Sequence, residues 1–210
     1  RLNEISRSCG SSLFMMLLAG FKLLLANLTG QDDIVVGTAV SNRRQRGFER
    51  AVGCFANTLL LRTQVDRAAE FTTCLSAVRD TVTGALDNQD LPFERLLTDL
   101  APGMNTHRHQ IPQVMFVFEP GVLQRVDLPE LTASVMDIFC DTAKFELGLY
   151  IAETENGLKG LLEYSTDLFD ADGIADIIAH YIALLEDIAA APGIQCDALC
   201  KAPWTESRPL

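Results

Sequence analysis

The sequence predicts a mixed-sheet fold of the α/β or α+β layered kind, and three observations carry that reading. Apolar stripes at helical spacing alternate with short β-rich runs. Two period-2 runs flank Asn156-Gly157, the dipeptide that most strongly signals a hairpin. Elsewhere a helical stretch separates one strand from the next, which requires crossovers. Hairpins and crossovers in one chain give a sheet with both parallel and antiparallel pairs, flanked by helices.

The first helix is expected to pass through Leu13, Phe14, Leu17, Leu18, Phe21, Leu24 and Leu25, capped by Ser11 or Ser12 and stopped by Gly30. Ile34-Val35-Val36-Gly37 then reads as a buried strand. Residues 41–50, SNRRQRGFER, are too polar for a core. They form either a solvated loop or a loop carrying binding groups between two buried strands. A second strand is expected over 54–65, with Leu59, Leu61, Thr63 and Val65 on one face. Leu75, Val78, Val82 and Leu86 mark a helix over 71–86. Pro92 interrupts it and suits the first turn of a short helix over 93–100.

A loop over 101–111 leads to a central strand over 113–118. Phe145, Leu147, Leu149 and Ile151 share one strand face, and Leu158, Gly160, Leu162 and Tyr164 another. A type I′ turn at Asn156-Gly157 would join them. Ile174, Ile177, Ile178, Tyr181, Ile182, Leu185 and Ile188 form the stripe of a long helix, capped by Asp170 or Asp172 and stopped at Pro192-Gly193. Residues 201–210 read as a frayed tail or linker.

With 210 residues and 48% apolar content, the chain is one domain or one large lobe with a real core. A net charge of -11 disfavours nucleic acid and anionic membrane surfaces, both of which need clustered basic groups. The apolar run 13–28 is broken by Lys22 and Asn27 and lacks a basic leader, so a buried helix is expected there and not a membrane span. The six cysteines include no CxxC pair, and all are read as reduced, in a cytosolic protein. Cys54 and Cys140 sit in apolar stretches, where cysteine packs as a small hydrophobe.

No complete catalytic constellation emerges. His107, His109 and His180 are the only histidines, with no cysteine or acidic cluster beside them to suggest a metal. Glycine-rich phosphate loops and nucleophile elbows are absent. Asp32-Asp33 reads as a solvated turn. Two segments have unusual composition. Asn57 and Thr58 stand at the mouth of an apolar strand, and a buried asparagine there must find hydrogen-bond partners. Residues 88–94, NQDLPFE, form an amide-rich helix break.

In order and spacing, these segments resemble the C-terminal half of condensation domains of nonribosomal peptide synthetases. Residues 29–43, TGQDDIVVGTAVSNR, are similar to the family's TGQxDIVVGxPVxxR. Residues 52–62 resemble GxFxNTLxLR, 88–97 resemble HQDxPFExLL, and 108–116 resemble SRxPxFQVMF. Residues 142–147, TAKFEL, and 160–169, GLLEYSTDLF, resemble two further stretches, TAKFDL and GxLEYxTDLF. The match covers about residues 2–199. Departures include Asn88 for histidine, Gln110 for proline, Pro112 for an aromatic residue and Ala56 for a larger apolar one.

The resemblance implies a chloramphenicol-acetyltransferase-like lobe, a mixed sheet flanked by helices, over 1–200, followed by a tail or linker at 201–210. In the family two such lobes enclose a tunnel. Two carrier domains present phosphopantetheine thioesters from opposite ends, and an amine attacks a thioester to give an amide. The family's HHxxxDG motif belongs to the N-terminal lobe and does not occur in this sequence. The implied partners are that lobe, carrier (thiolation) domains and an adjacent adenylation domain, with no nucleic acid, no membrane and no cofactor bound by this lobe itself.

The implied tunnel-wall or structural residues are Ser41, Arg43, Gly53, Phe55, Asn57 and Gln113, with no catalytic or metal-binding residue. Arg43 and the loop to Val52 would match the family's floor segment. Asn57 would either steady the thioester or its oxyanion, or pin the strand end. Residues 119–130 are the candidate for a latch reaching the other lobe. The alternative to an amide-forming enzyme piece is a non-catalytic condensation-like platform for docking carrier or tailoring proteins.

Overall fold

The computed structural model describes residues 1–44, 46–100, 112–119 and 142–199. Five strands form a single sheet: β1 (Asp33–Val40), β2 (Asn57–Gln64), β3 (Val114–Glu119), β4 (Leu147–Thr154) and β5 (Gly157–Tyr164). Their order is β2-β1-β3-β4-β5. The central pairs β1–β3 and β3–β4 are parallel, while β1–β2 and β4–β5 are antiparallel. The expected mixture of hairpin and crossover connections is therefore what the chain forms.

The helices are α1 (Leu2–Ser8), α2 (Leu13–Thr29), α3 (Phe71–Asp87), α4 (Phe93–Leu100) and α5 (Ala171–Ala190). Helix α2 is buried without a break from Met16 to Ala26. A helix apolar on all sides must be enclosed, and α2 packs against α1, α3, α5 and β1. Among the described residues no single helix is long and apolar enough to cross a membrane. Ser12 accepts from the Met15 amide, and Gly30 ends the helix in the left-handed region at φ 70, as expected of a cap serine and a terminal glycine. Helix α5 buries Ile174, Ile177, Tyr181, Leu184 and Ile188. The Tyr181 hydroxyl donates to the Leu17 carbonyl at 2.9 Å, and burial holds its phenol well above the ordinary range.

Three readings need correction. The second strand begins at Asn57 and not at residue 54; Cys54 lies in the preceding loop and is exposed. It is not packed as a small hydrophobe. The hairpin loop is Glu155-Asn156, with Thr154 paired to Gly157. Only Gly157 takes positive φ, at 127, so the turn is not type I′, which needs positive φ at both central residues. Helix α1 carries no apolar stripe long enough to be read from sequence; only Ser6 in it is buried. Cys140, Cys200 and the histidines at 107 and 109 lie outside the described residues, as does the latch candidate beyond Glu119. None of the four described cysteines is in a disulfide.

Gly37 marks the tightest crossing in the sheet. A Cβ there would stand 2.2 Å from Pro112 Cγ and 2.5 Å from Met115 Sδ. The Met115 thioether can swing aside, but the Pro112 ring cannot yield that distance cheaply. Gly37→Ala is expected to cost roughly 2 kcal/mol and lower the midpoint of thermal unfolding by about 5 °C. An unchanged midpoint in scanning calorimetry would show that Pro112 moves aside freely.

Candidate functional site

The residues after β1 and before β2 are organised by one side chain. Asn42 takes positive φ (51), which asparagine tolerates better than most residues. This turns the chain so that Arg43 faces back into its own loop. The Arg43 guanidinium donates to the carbonyl of Phe48, to that of Ala51 at 2.8 Å and to that of Gly53 at 2.8 Å. Its Cζ lies 4.4 Å from the centroid of the Phe55 ring, and Phe48 packs on Phe55 at 5.3 Å between centroids. A planar fork that also stacks on an aromatic face suits this task, and lysine could not reproduce it. Ser41, Arg43, Gly53 and Phe55 thus belong to one closed loop, with a 3-10 turn over Arg46–Phe48 at its tip.

Asn57 joins this loop to the break between α3 and α4. Its Nδ2 donates to the carbonyls of Gln89 at 2.9 Å and Leu91 at 2.8 Å. Its Oδ1 accepts the Phe93 amide at 3.0 Å, satisfying a backbone donor that the first turn of α4 leaves open. Both amide protons and the carbonyl oxygen are therefore committed to backbone. In this geometry Asn57 pins the strand end, and no donor is left to aim at a reacting oxygen. Arg44 and Asp90 add an exposed ion pair at 4.0 Å between the same segments, of small energetic weight.

Gln113 stands apart. Gly37 is level with Met115 across the parallel pair, which puts Phe118 beside Val40 and leaves Gln113 roughly 16 Å down the strand from that end. Its side chain donates to Glu146 Oε1 at 3.1 Å. Asp32 and Asp33 are also at the far end. Neither is an unpartnered turn acid: Arg67 holds Asp32 at 2.6 Å, and Arg62 grips Asp33 with contacts of 2.9 and 2.6 Å. The Arg62 hydrogen bond holds the Asp33 carboxyl below its usual range. His180 Nδ1 donates to the Asp176 carbonyl, 2.7 Å away, on the same helix. Among the described residues no His, Cys, Asp or Glu cluster could hold a metal ion.

Two features escaped the sequence reading. Lys22, noted only as an interruption of an apolar run, is wholly buried. Its Nζ donates to the Leu61 carbonyl at 2.6 Å, to Thr63 Oγ1 at 2.7 Å and to the Ile34 carbonyl at 3.4 Å. Burial lowers its pKa to about 7, against smaller raising effects of Cys74 and Asp33. The second feature is a cavity of about 260 Å³ at the carboxyl ends of β1 and β3, between the start of α2 and the end of α3. Nothing in a linear pattern signals either, because each is made by residues far apart in the chain.

The sequence model of the Condensation domain family matches residues 1–209. The chain is 37% identical over 201 residues to a dimodular nonribosomal peptide synthase of Bacillus subtilis (strain 168), covering 93% of this chain and 8% of the relative. It is 34% identical over 192 residues to tyrocidine synthase 3 of Brevibacillus parabrevis, covering 91% of this chain and 3% of the relative. The chain thus spans a small fraction of the length of these relatives. A holo four-domain nonribosomal peptide synthetase bound to AMP and glycine superposes with a TM-score of 0.86 at 22% identity, over 97% of this chain and 17% of that one. The X-domain from teicoplanin biosynthesis gives 0.83 at 26% identity, over 96% of this chain and 46% of that one. The same X-domain in complex with OxyB gives 0.81, again at 26% identity, over 94% of this chain and 44% of that one.

Proposed function

The chain belongs to the condensation-domain family of nonribosomal peptide synthetases, and we propose that residues 1–200 form the C-terminal lobe of such a domain, with 201–210 as linker. The observation that carries this is a ratio. The chain is matched almost entirely, yet it spans 46% of the X-domain chain it superposes on. One of two lobes would give that figure. The loop held by Arg43 and the α3–α4 break held by Asn57 lie together at one end of the sheet. There they would form a rigid wall of the tunnel between lobes.

In this reading two carrier domains bring phosphopantetheine thioesters to the tunnel. The acceptor's amine attacks the donor's thioester carbonyl, the carbon–nitrogen bond forms, and the thiol leaves with the proton that the amine gives up. The lobe supplies wall and carrier-docking surface, not the proton-handling group. The sequence contains no adjacent histidine pair, so an HHxxxDG motif would come from the N-terminal lobe. An adenylation domain would be a neighbour, in the cytoplasm.

The purified 210-residue chain is therefore expected to make no amide from two loaded carriers, whereas adding the N-terminal lobe restores product detectable by mass spectrometry. Turnover by the chain alone would overturn the assignment of roles. A second reading, a docking platform for tailoring proteins, draws support from the likeness to an X-domain whose structure was solved with OxyB. Reconstitution with both lobes separates the two: amide formation supports the first, and tailoring-protein binding without amide formation supports the second.

A further inference from the structure

We propose that the cavity at the carboxyl ends of β1 and β3 receives the side chain of a carrier-bound aminoacyl thioester; this rests on the condensation reading above. Its walls are Phe14, Val40, Leu59, Leu86 and Phe118, with Thr38 the polar residue of the strand floor. A volume of about 260 Å³ exceeds the roughly 150 Å³ apolar cavity that admits benzene. It is below the range of pockets that enclose whole drug-sized ligands. A leucine or phenylalanine side chain fits; a long peptide does not.

Position and polarity point the same way. In open sheets with parallel strands, ligands bind outside the carboxyl ends of the strands, and this cavity lies there. Val40 precedes the Arg43 loop directly and is paired with Asn57; Leu86 closes the helix that runs into the Asn57-bound break. The cavity thus shares its rim with the two segments proposed as tunnel wall.

Thr38 adds an independent observation. It is 5% exposed, and its hydroxyl makes no hydrogen bond to a described residue. Among the described residues no sealed polar side-chain atom lacks a partner, so this hydroxyl is not sealed off, and Thr38 lines the cavity. An unspent hydroxyl on an apolar wall suits a ligand that is apolar with one polar atom within reach. An aminoacyl group, with its side chain beside a carbonyl and an amine or amide, is such a ligand.

The test uses the synthetase region containing this lobe and its partner lobe, with carriers loaded with alanine, leucine or phenylalanine. One arm varies the donor and the other the acceptor. Leu86 is partly exposed, so Leu86→Trp fills the cavity from its rim without opening the core. It is expected to lower kcat/KM for leucyl and phenylalanyl thioesters at least tenfold relative to alanyl, in one arm only; that arm identifies which substrate the cavity holds. Thr38→Val is expected to raise KM severalfold in the same arm.

An equal change for all three side chains in both arms would overturn the proposal. A second measurement is independent of turnover. In methyl NMR of this chain, the N-acetylcysteamine thioester of N-acetyl-leucine is expected to shift Val40, Leu59 and Leu86, and to lose that effect in Leu86→Trp. No shift overturns the cavity assignment. Shifts without any wild-type amide formation would instead sink the condensation reading and leave the cavity standing.

Discussion

The stability of this chain is expected to rise steeply between about pH 7 and pH 10, and Lys22→Met is expected to abolish most of that rise. Lys22 projects from a helix buried on all sides into the seam with β1 and β2. Its hydrogen-bond partners there are two carbonyls and a hydroxyl: Leu61, Ile34 and Thr63, whose own hydroxyl is bonded to Thr81 at 3.1 Å. The other titratable groups facing it are Cys74 of α3 and Asp33 at the start of β1. Cys74 is itself held below the ordinary thiol range, chiefly by its hydrogen bond with Cys196.

Desolvation outweighs these favourable partners and lowers the Lys22 pKa from 10.5 to about 7. In the unfolded chain the amine keeps its ordinary value near 10.4. Between those two values the unfolded chain binds one proton more than the folded chain, so stability increases with pH. The slope is about tenfold in the folding constant per pH unit, or about 4 kcal/mol over the window. Below pH 7 both states carry the proton and the dependence vanishes. Urea unfolding of wild type and Lys22→Met at pH 6, 8 and 10 isolates this contribution from Cys74 and the tyrosines. A stability difference between the two proteins that stays flat across that range would show that Lys22 keeps its proton in the core.

Lys22 also shows why the fold was more legible than its interior chemistry. Strand and helix identities follow from periodicity, and periodicity is local: α2, α3, α5, β4 and β5 form where the pattern puts them, although Ile178 and Ile182 of the expected α5 stripe are exposed and Leu184 is buried instead. The mixed sheet follows from the connections between them. What periodicity does not carry is which long-range neighbour a polar side chain meets. Lys22 reads as a break in an apolar run because its acceptors lie 12 to 41 residues away. The hairpin misreading has a different cause. Asn156-Gly157 permits two turn geometries, and the register, with Thr154 opposite Gly157, moved the pair one place along. Arg43 and Asn57 stood out by composition, and their order resembled a family, but only coordinates reveal that both spend their hydrogen bonds on backbone.

That distinction makes Asn57→Asp the sharpest test of the wall. The change is nearly isosteric, so packing is kept while the donor set is inverted. The Phe93 amide retains its acceptor, but the Gln89 and Leu91 carbonyls, now 2.9 and 2.8 Å from a donor, would face an oxygen. Two hydrogen bonds are lost and lone pairs are opposed, for a cost of about 2–3 kcal/mol. The cost falls on a segment with little else to hold it. Helix α4 buries no residue fully, so the helix break and α4 should detach before the sheet does. Hydrogen exchange is expected to quicken on the order of 30-fold across residues 88–100, with the amides of α2 and β1 unchanged. If this break is the tunnel wall proposed above, the same variant in the complete condensation domain should lose amide formation at least tenfold, because a wall that opens no longer positions substrate. If Asn57 instead steadied the reacting carbonyl directly, activity would fall with exchange at 88–100 unchanged. Loss of both together is the signature of a pin, and it places the function of Asn57 in the rigidity of the break it holds.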